Sequence, residues 1–353
     1  MKKKTKWIVS LIILLFLLFV FAIKVTPSTE ASSTEKLKVH FIDVGQADCI
    51  LIQTPSNHTM LIDAGNDDDS DKILSYIKKL NIKKIDVIIG THPHEDHIGG
   101  LHSIISGFEI GKIYIPKVSS NTKTFEKLLN TIKSKSIKVT TATAGLKISL
   151  DSKLAVNILA PNGVKYDDVN NYSAVVKLVF GNTSFLFTGD AEEVSENEML
   201  AKKYILKADV LKEGHHGSNS STSINFLNAV SPKFAVISVG KNNDYGHPAD
   251  ETISKLVNAK IKIFRTDLSG TIIATSDGRT ITFEEKASAI NSQSTPSNIE
   301  TIVPNTSYIG NKNSLKFHLP SCSSLPLSQN RINFKTREAA ITAGYFPCKI
   351  CNP

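Results

Sequence analysis

One short run of residues constrains this chain more than any other feature: T-H-P-H-E-D-H at residues 91–97. The apolar run D-V-I-I-G comes directly before it and predicts a buried strand. In a turn that leaves a strand, residues two apart can point the same way. His92 and His94 can therefore share one metal ion, while Asp96 and His97 face a second ion nearby. Imidazole and carboxylate ligands suit zinc or a similar divalent ion, so the run predicts a dinuclear metal centre.

The patterns on either side of this run predict the architecture of residues 37–284. Two strand-rich halves carry interspersed amphipathic helices, one of which is expected over residues 70–80 and another over residues 98–106. This arrangement predicts an α/β sandwich with helices on its outer faces. A polar segment rich in serine and asparagine then predicts a linker at residues 285–306 and a separate small domain at residues 307–353.

Seven motifs occur in an order that is typical of one family of hydrolases. They are F-I-D-V-G-Q-A-D, L-I-D-A-G, T-H-P-H-E-D-H-I-G-G, N-N-Y-S-A-V-V, F-T-G-D, H-H-G-S and Y-G-H-P. The third contains the H-x-H-x-D-H signature of the metallo-β-lactamase superfamily, and the whole set resembles the hydrolase domain of the ComEC competence family. The resemblance covers residues 37–284. It implies the metallo-β-lactamase αββα sandwich and a hydrolase that uses two divalent metal ions, Zn²⁺ or Mn²⁺.

The resemblance also implies a set of metal ligands. Asp190, which ends F-T-G-D, takes the place of the carboxylate that bridges the two ions. Many members of the superfamily have an isolated histidine before this aspartate, whereas N-N-Y-S-A-V-V stands there in this chain. One of His215 and His216 is expected to replace it, and the sequence does not decide which. The expected assignment is His92, His94 and His216 on one ion, Asp96, His97 and His247 on the other, and Asp190 on both.

Two residues are expected to act in catalysis. Asp96 would orient the attacking water. Whichever of His215 and His216 is not a ligand, which is His215 in the expected assignment, would protonate the leaving group. Neither role requires a nucleophilic serine or cysteine, and no nucleotide cofactor is expected.

Other polar residues of the motifs have two explanations each. Asp43 and Asp63 lie at strand ends, where they would either orient histidine ligands or form hydrogen bonds that only stabilise the strand ends. Asn171, Ser173 and Lys212 are candidates for substrate contact.

The C-terminal segment has its own metal-site spacing. His318 and Cys322 are four residues apart, and Cys348 and Cys351 form a C-x-x-C pair. This spacing predicts a structural Zn²⁺ site, which a domain of about 50 residues needs to supplement its small core. Disulfide bonds are the alternative outside a cell, but three cysteines leave one unpaired. Cys49 lies in an apolar strand and is expected to be a buried packing residue.

The segment that ends the chain, including F-K-T-R-E-A-A-I-T-A-G-Y-F-P-C-K-I-C, resembles the zinc domain of the Ada DNA-repair protein. In that domain the first of four zinc-binding cysteines accepts a methyl group from DNA. His318 takes its position here, so the resemblance implies a zinc domain without alkyl transfer. Basic side chains would contact DNA or form a solvated surface. They are Lys312, Lys316, Arg331, Lys335, Arg337 and Lys349.

Residues 1–31 predict export. Four lysines precede an apolar run at residues 7–23 that is interrupted only by Ser10. This pattern is typical of a signal peptide or a membrane anchor. Either outcome would place the following residues outside the cytoplasmic membrane, secreted or anchored to its outer face.

The charge of the chain and these motifs together suggest a function. The formal net charge is +8, and half of it lies in residues 1–31, which hold five lysines and one glutamate. The remaining basic excess weakly favours an anionic substrate. The sequence therefore predicts an extracytoplasmic phosphodiesterase, more specifically a nuclease acting on DNA. The alternatives are a choline-phosphate or teichoic-acid phosphodiesterase and a surface-anchored DNA-binding protein without turnover.

Overall fold

The computed structural model describes residues 36–288, 308–320, 322, 324–335 and 337–348. These residues belong to two compact units, divided after Ser288. The predicted export segment at residues 1–31 lies outside the described residues, as does most of the predicted linker. Among the described helices, none is long and apolar enough to cross a membrane.

The larger unit contains two mixed sheets. In sheet order, the eight strands of the first are β15 (Ile281–Phe283), β14 (Ile272–Ser276), β1 (Leu37–Phe41), β2 (Ile50–Gln53), β3 (Thr59–Ile62), β4 (Lys84–Ile89), β5 (Glu109–Pro116) and β6 (Val139–Ala142). The seven strands of the second are β13 (Lys262–Arg265), β12 (Phe234–Ile237), β11 (Val210–Lys212), β10 (Thr183–Phe187), β9 (Val175–Phe180), β8 (Leu154–Ala160) and β7 (Lys147–Ile148). Strands β3 to β6 pair in parallel, as do β10 to β13.

Helices and short 3-10 turns connect these strands. The helices are α1 (Ser70–Lys79), α2 (Glu95–Ile98), α3 (Leu101–Gly107), α4 (Lys123–Ser134), α5 (Glu193–Ala201), α6 (Ile224–Val230), α7 (Asp250–Asn258) and α8 (Thr266–Ser269). The 3-10 turns are Asp67–Asp69, Val169–Tyr172 and Gly214–Gly217.

The two sheets pack face to face around an apolar core. Phe41 of β1 and Phe187 of β10 lie in one buried cluster, with their ring centroids 6.2 Å apart. Residues of α1, α3 and α4 form a second buried cluster with the other face of the first sheet, while α5 and α7 contact β8 and β13 of the second sheet. The predicted αββα sandwich is therefore confirmed.

Helix α1 shows why the predicted pattern forms a helix. Ile73 and Ile77 are one turn apart and both are buried, so one face of the helix packs against the sheet. Lys78 and Lys79 lie in the last turn, where positive charge is favourable at the helix C-terminus. The helix expected over residues 70–80 is thus confirmed.

The helix expected over residues 98–106 is instead two helices, α2 and α3, separated by Gly99 and Gly100. A Cβ atom on Gly99 would lie 2.4 Å from Asp67 N, and one on Gly100 would lie 2.3 Å from Ala64 O. Only glycine allows the histidine-rich loop to approach the turn at residues 64–67 this closely. The close approach is the physical reason for the break.

Three of the predicted ligand motifs follow the carboxyl ends of strands. The histidine-rich run follows β4, Asp190 follows β10, and the H-H-G-S motif follows β11. Since β10 and β11 run parallel, their carboxyl ends lie at the same edge of the sheet. Ligand sites in α/β proteins commonly occupy such an edge.

The smaller unit is a four-stranded sheet with one short helix. Its strands, in sheet order, are β18 (Arg331–Phe334), β16 (Tyr308–Asn311), β17 (Lys316–His318) and β19 (Phe346–Pro347), and its helix is α9 (Arg337–Thr342). Phe317, Phe334 and Ala340 form its buried cluster, with Tyr308 and Tyr345 packed against them. So few apolar side chains give little stability on their own, which agrees with a need for a bound metal.

Candidate metal centre

Two groups of candidate ligands meet at Asp190. The ligand atoms of His92, His94 and Asp190 lie within 4.8 Å of one another. His92 Nε2 is 3.0 Å from His94 Nδ1 and 3.8 Å from Asp190 Oδ2, so two ring nitrogens and a carboxylate face one small volume. This arrangement follows from the expected geometry of residues two apart at the end of β4.

The second group consists of Asp96, His97, Asp190 and His216, whose ligand atoms also lie within 4.8 Å of one another. His97 Nε2 is 3.2 Å from Asp190 Oδ2, and His216 Nε2 is 3.2 Å from Asp96 Oδ2. Asp190 therefore belongs to both groups, as a carboxylate that bridges two ions would.

The position of His216 differs from the expected assignment, which paired it with His92 and His94. The structure places it with Asp96 and His97 instead. His216 Nδ1 lies 2.9 Å from the carbonyl oxygen of Ser238, to which its N–H can donate a hydrogen bond. This contact directs Nε2 toward Asp96 and explains the difference.

The charges around His97 favour a cation. Asp63 Oδ2 lies 2.8 Å from His97 Nδ1, so the carboxylate can accept a hydrogen bond from that ring and leave Nε2 free to coordinate. Burial alone would lower the pKa of His97, but the carboxylates of Asp190, Asp96 and Asp63 raise that pKa well above its usual range. The group thus holds more negative charge than its imidazoles neutralise.

Two buried atoms at the centre are suited to metal coordination. His97 Nε2 and Asp190 Oδ1 are fully buried and have no hydrogen-bond partner among the described residues. A buried polar atom without a partner is costly unless an ion or water satisfies it. Their identities, nitrogen and carboxylate oxygen, match the ligands of zinc and similar divalent ions. The residues present therefore fit two metal ions.

Ser173 and Asn171 orient the centre rather than face a substrate. Ser173 is fully buried; its Oγ accepts a hydrogen bond from Asp190 N at 3.1 Å and lies 3.3 Å from His92 Nδ1. Asn171 Oδ1 accepts from the backbone of Glu192 and Ser195. Both side chains are buried, so the expectation that they contact substrate is replaced by a positioning role.

Lys212 is also buried and cannot reach a substrate in this conformation. Its Nζ lies 3.0 Å from Asp48 Oδ1 and donates to the carbonyl oxygen of Glu213 at 2.8 Å. Of the two aspartates considered as orienting residues, Asp63 contacts His97, whereas Asp43 accepts from Gly45 N and lies 3.8 Å from Lys72 Nζ.

His215 lies beside the two groups and faces the open side of the centre. Its side chain is 25% exposed, and its Nε2 is 3.6 Å from Asp190 Oδ2. Its Nδ1 lies 3.2 Å from Ser220 Oγ and 3.5 Å from Glu192 Oε1. Burial alone would lower the pKa of His215, but the Asp190 and Glu192 carboxylates raise it.

The centre opens into a cavity of about 330 Å³. His247 lines this cavity but belongs to neither of the two groups of ligand atoms that share Asp190. Its Nδ1 lies 3.4 Å from Gln46 Nε2. Burial, and then the charges of neighbouring histidines, lower its pKa to about 4. The lining residues are Gln46, His94, Glu95, Asp96, Asp190, His215, His216, Tyr245 and His247.

The smaller unit holds a separate candidate site. The ligand atoms of His318, Cys322 and Cys348 lie within 4.8 Å of one another, with His318 Nδ1 3.4 Å from Cys322 Sγ. Cys351, the expected fourth ligand, lies outside the described residues. Two thiols and an imidazole converging in this way fit a structural zinc ion.

Two family profiles match the chain, one within the larger unit and one over the C-terminal segment. The sequence profile of the metallo-beta-lactamase superfamily matches residues 42–241. The chain belongs to the metallo-beta-lactamase superfamily. The profile of the metal binding domain of Ada matches residues 303–353. Both resemblances found in the sequence are thereby confirmed, and the superfamily's hydrolase fold binds divalent metals.

Relatives within the superfamily include proteins of bacterial competence. The chain is 31% identical to ComE operon protein 3 of Bacillus subtilis over 252 residues, which cover 67% of this chain and 32% of that protein. It is 31% identical to competence protein ComA of Neisseria gonorrhoeae over 251 residues, 69% of this chain and 33% of that protein. It is 30% identical to recombination protein 2 of Haemophilus influenzae over 243 residues, which cover 67% of this chain and 28% of that protein. The chain thus spans about a third of the length of these relatives.

Sequence reasoning missed three features of this superfamily member's site. In the sequence Asp48 is only one residue of the motif F-I-D-V-G-Q-A-D, whereas in the structure its side chain forms the buried pair with Lys212. Glu192 follows Asp190 by two residues and faces His215, a spacing that was available as a signal. Tyr245 precedes His247 in Y-G-H-P and lines the cavity, but an exposed tyrosine gives no signal of its own.

Proposed function

We propose that the chain is a phosphodiesterase that hydrolyses DNA outside the cytoplasmic membrane with two divalent metal ions. The observation that carries this proposal is the pair of ligand groups that share Asp190 in the cavity wall. His92, His94 and Asp190 would hold one ion, and Asp96, His97, His216 and Asp190 the other. When bound, such ions polarise a phosphoryl oxygen and lower the pKa of water enough to supply a nucleophile near neutral pH.

The side chains of the cavity divide the remaining tasks. Asp96 lines the cavity with its carboxylate 31% exposed, so it can accept a hydrogen bond from the attacking water in addition to the place it would have as a metal ligand. His215 presents Nε2 toward Asp190 and turns Nδ1 toward Glu192 and Ser220. The Glu192 carboxylate stabilises a protonated His215, which can donate its proton to the leaving oxygen.

His247 has a supporting place in this proposal. It lies on the cavity wall beside His215, with ring centroids 5.6 Å apart, and outside both ligand groups. The expectation that it binds the second ion stays a prediction, and the cavity position equally allows it to bind a substrate phosphate.

DNA is favoured as the substrate by three observations. One relative is named a competence protein and another a recombination protein, and both words concern the handling of DNA. The smaller unit matches the metal binding domain of Ada. Of the net charge of +8, half lies outside the export segment, and this basic excess weakly favours a polyanion. Export rests on the lysine-rich apolar segment at residues 1–31.

The test is cleavage of labelled single-stranded and double-stranded DNA by the purified full-length chain, with Zn²⁺ or Mn²⁺ supplied after chelation. The key variant is Asp190→Asn, which removes the bridging charge but keeps the shape of the side chain. Asp209→Asn is the matched control, because Asp209 accepts from Ser184 at the start of β10, away from the cavity. We expect metal-dependent cleavage in the wild type and the control and its loss in Asp190→Asn.

Other outcomes would assign the centre differently. Hydrolysis of choline-phosphate or teichoic-acid esters without DNA cleavage would replace DNA with a wall-derived substrate. DNA binding with two ions bound but without turnover on any phosphodiester would support a binding protein and overturn the proposed hydrolysis.

A further inference from the structure

An exposed aromatic ring stands at the rim of the catalytic cavity. Tyr245 lines the cavity with 73% of its surface exposed, and its ring stacks on that of His247, with centroids 5.7 Å apart and planes inclined by 25°. His247 in turn contacts His215, whose Nε2 is 3.6 Å from Asp190. A row of three rings therefore leads from the rim to the bridging carboxylate.

The side chain of Asn243 makes four hydrogen bonds within the loop that carries Tyr245. Asn243 Oδ1 accepts hydrogen bonds from Tyr245 N at 3.1 Å and His247 N at 3.0 Å. Asn243 Nδ2 donates to the carbonyl oxygens of Gly240 and His247. These bonds fix the backbone beneath both rings. The tyrosine ring is thus presented at a defined place rather than on an unrestrained chain.

We infer that Tyr245 is a stacking platform for an unpaired nucleobase next to the phosphodiester that is cleaved. One face of its ring rests on His247, and the exposed surface of the ring is available to a ligand. Bases stack on such rings regardless of their sequence, with a contribution of about 1–3 kcal/mol per base. The inference rests on the proposed function for the identity of the phosphodiester and adds its class, single-stranded nucleic acid.

The geometry favours a base in a single strand over a base inside a duplex. A base within a duplex already has both faces covered by its neighbours, and exposing one requires unstacking. A single strand offers its bases at a smaller cost, because they are unpaired and only partly stacked. A quaternary ammonium group is another ligand of aromatic rings, but it is usually enclosed by several of them. Among the described residues that line this cavity, Tyr245 is the one aromatic side chain besides the histidines.

The experiment measures binding, so that it does not depend on turnover. In the full-length chain with Asp190→Asn, fluorescence anisotropy would give the Kd of a labelled single strand and of the same strand with abasic sites. The comparison covers three proteins in this background, which carry tyrosine, Tyr245→Phe or Tyr245→Ala. We expect Tyr245→Ala to weaken binding of the intact strand by about 5- to 150-fold. Tyr245→Phe should bind it nearly as well as tyrosine, and the abasic strand should show no dependence on residue 245.

Three results would overturn the inference. Equal weakening of intact and abasic strands would show that Tyr245 supports the loop or a sugar contact instead of a base. Unchanged binding in Tyr245→Ala would show that no base stacks there. Displacement of the strand by phosphocholine from the tyrosine form but not from the alanine form would assign the ring to a quaternary ammonium group.

The same variants separate this inference from the proposed function. Base-dependent binding through Tyr245 without cleavage by the wild type would sustain the platform and reject the nuclease. Cleavage of intact and abasic strands with the same kcat/KM in Tyr245→Ala as in the wild type would sustain the nuclease and reject the platform.

Discussion

The Lys212 ammonium lies 3.0 Å from Asp48 Oδ1, and both side chains are buried. Asp48 N donates to the carbonyl oxygen of Asp96, while Lys212 Nζ donates to that of Glu213. The ion pair therefore joins the ligand loop after β4 to the ligand loop after β11. Since these loops belong to different sheets, the pair fixes one half of the metal centre relative to the other.

Removing one member of this pair should destabilise the larger unit strongly. Lys212→Met would leave the Asp48 carboxylate buried without its cation, and we expect the free energy of unfolding to fall by about 3–5 kcal/mol. Asp48→Asn should have an effect of similar size. The double variant with both Asp48→Asn and Lys212→Met should lose less unfolding free energy than the sum of the two single losses, because the two groups interact directly. Urea unfolding of the four proteins measures this coupling, and strictly additive losses would show that the pair contributes nothing.

Asp63 should control metal affinity through His97. Asp63→Asn removes the charge that orients the His97 ring but tolerates the positive φ of 58° at this position. Changes to partners of metal-binding histidines typically weaken metal affinity by about 10–100-fold, and we expect a loss in this range. Asp43→Asn is the matched control, since its carboxylate contacts Gly45 and no ligand. Competition with a chelator measures the metal affinity of both variants. Equal metal affinities of Asp63→Asn and Asp43→Asn would contradict the role assigned to Asp63.

His215 and His216 should have separable roles. Both have positive φ, 47° and 55°, so asparagine is a better replacement than alanine. We expect His216→Asn to lose one of the two metal equivalents of the larger unit, in addition to which the chain would hold the zinc of the smaller unit, because His216 belongs to the group with Asp96 and His97. His215→Asn should retain both ions and lose about 10²–10⁴-fold in turnover as a missing proton donor. Metal analysis and single-turnover kinetics check this, and the reverse pattern of metal loss would exchange the two assignments.

The ligands could be predicted from sequence because they occupy strand ends. An apolar strand followed by alternating histidines places His92 and His94 together with little dependence on the rest of the fold. The grouping of His216 could not be predicted in this way. It depends on two consecutive left-handed residues and on the Ser238 carbonyl, which is brought in from the next strand.

The expectation that Lys212 and Ser173 contact substrate differs from the structure for one physical reason. Lys212 and Ser173 have side chains that are usually exposed, and a motif beside a metal centre suggests that they face a substrate. Their burial depends on partners far away in sequence, Asp48 for Lys212 and His92 for Ser173. Local sequence patterns do not predict contacts between residues far apart in the sequence. They do predict the apolar faces of helices and strands, and these faces are sufficient to predict the αββα sandwich.

His40 should make stability depend on pH. Burial lowers the pKa of His40 below its usual value of about 6.5, while Tyr76 and Gln53 hold the ring. The unfolded chain binds a proton near that value and the folded chain does not. The contribution of neutral His40 to the free energy of unfolding is therefore complete above about pH 6.5. It decreases as the pH falls toward the pKa that His40 has in the folded protein.

Comparison with His40→Gln isolates this contribution. The wild type should lose up to about 1.4 kcal/mol more per pH unit than the variant on acidification. Urea unfolding between about pH 7.5 and pH 5.5 gives both slopes. Identical slopes would show that His40 takes no part in the pH dependence.

The smaller unit should depend on zinc and not on a disulfide bond. His318, Cys322 and Cys348 converge beside a core too small to hold the fold alone. We expect Cys322→Ser to lose one zinc equivalent and to make the C-terminal segment sensitive to protease, while hydrolysis of a small phosphodiester is unchanged. His318→Cys should retain the zinc, because a fourth thiolate can replace the imidazole. Cys49→Ala is the matched control, since this buried thiol lies in the larger unit. Unfolding of the segment by a reductant but not by a chelator would instead establish a disulfide.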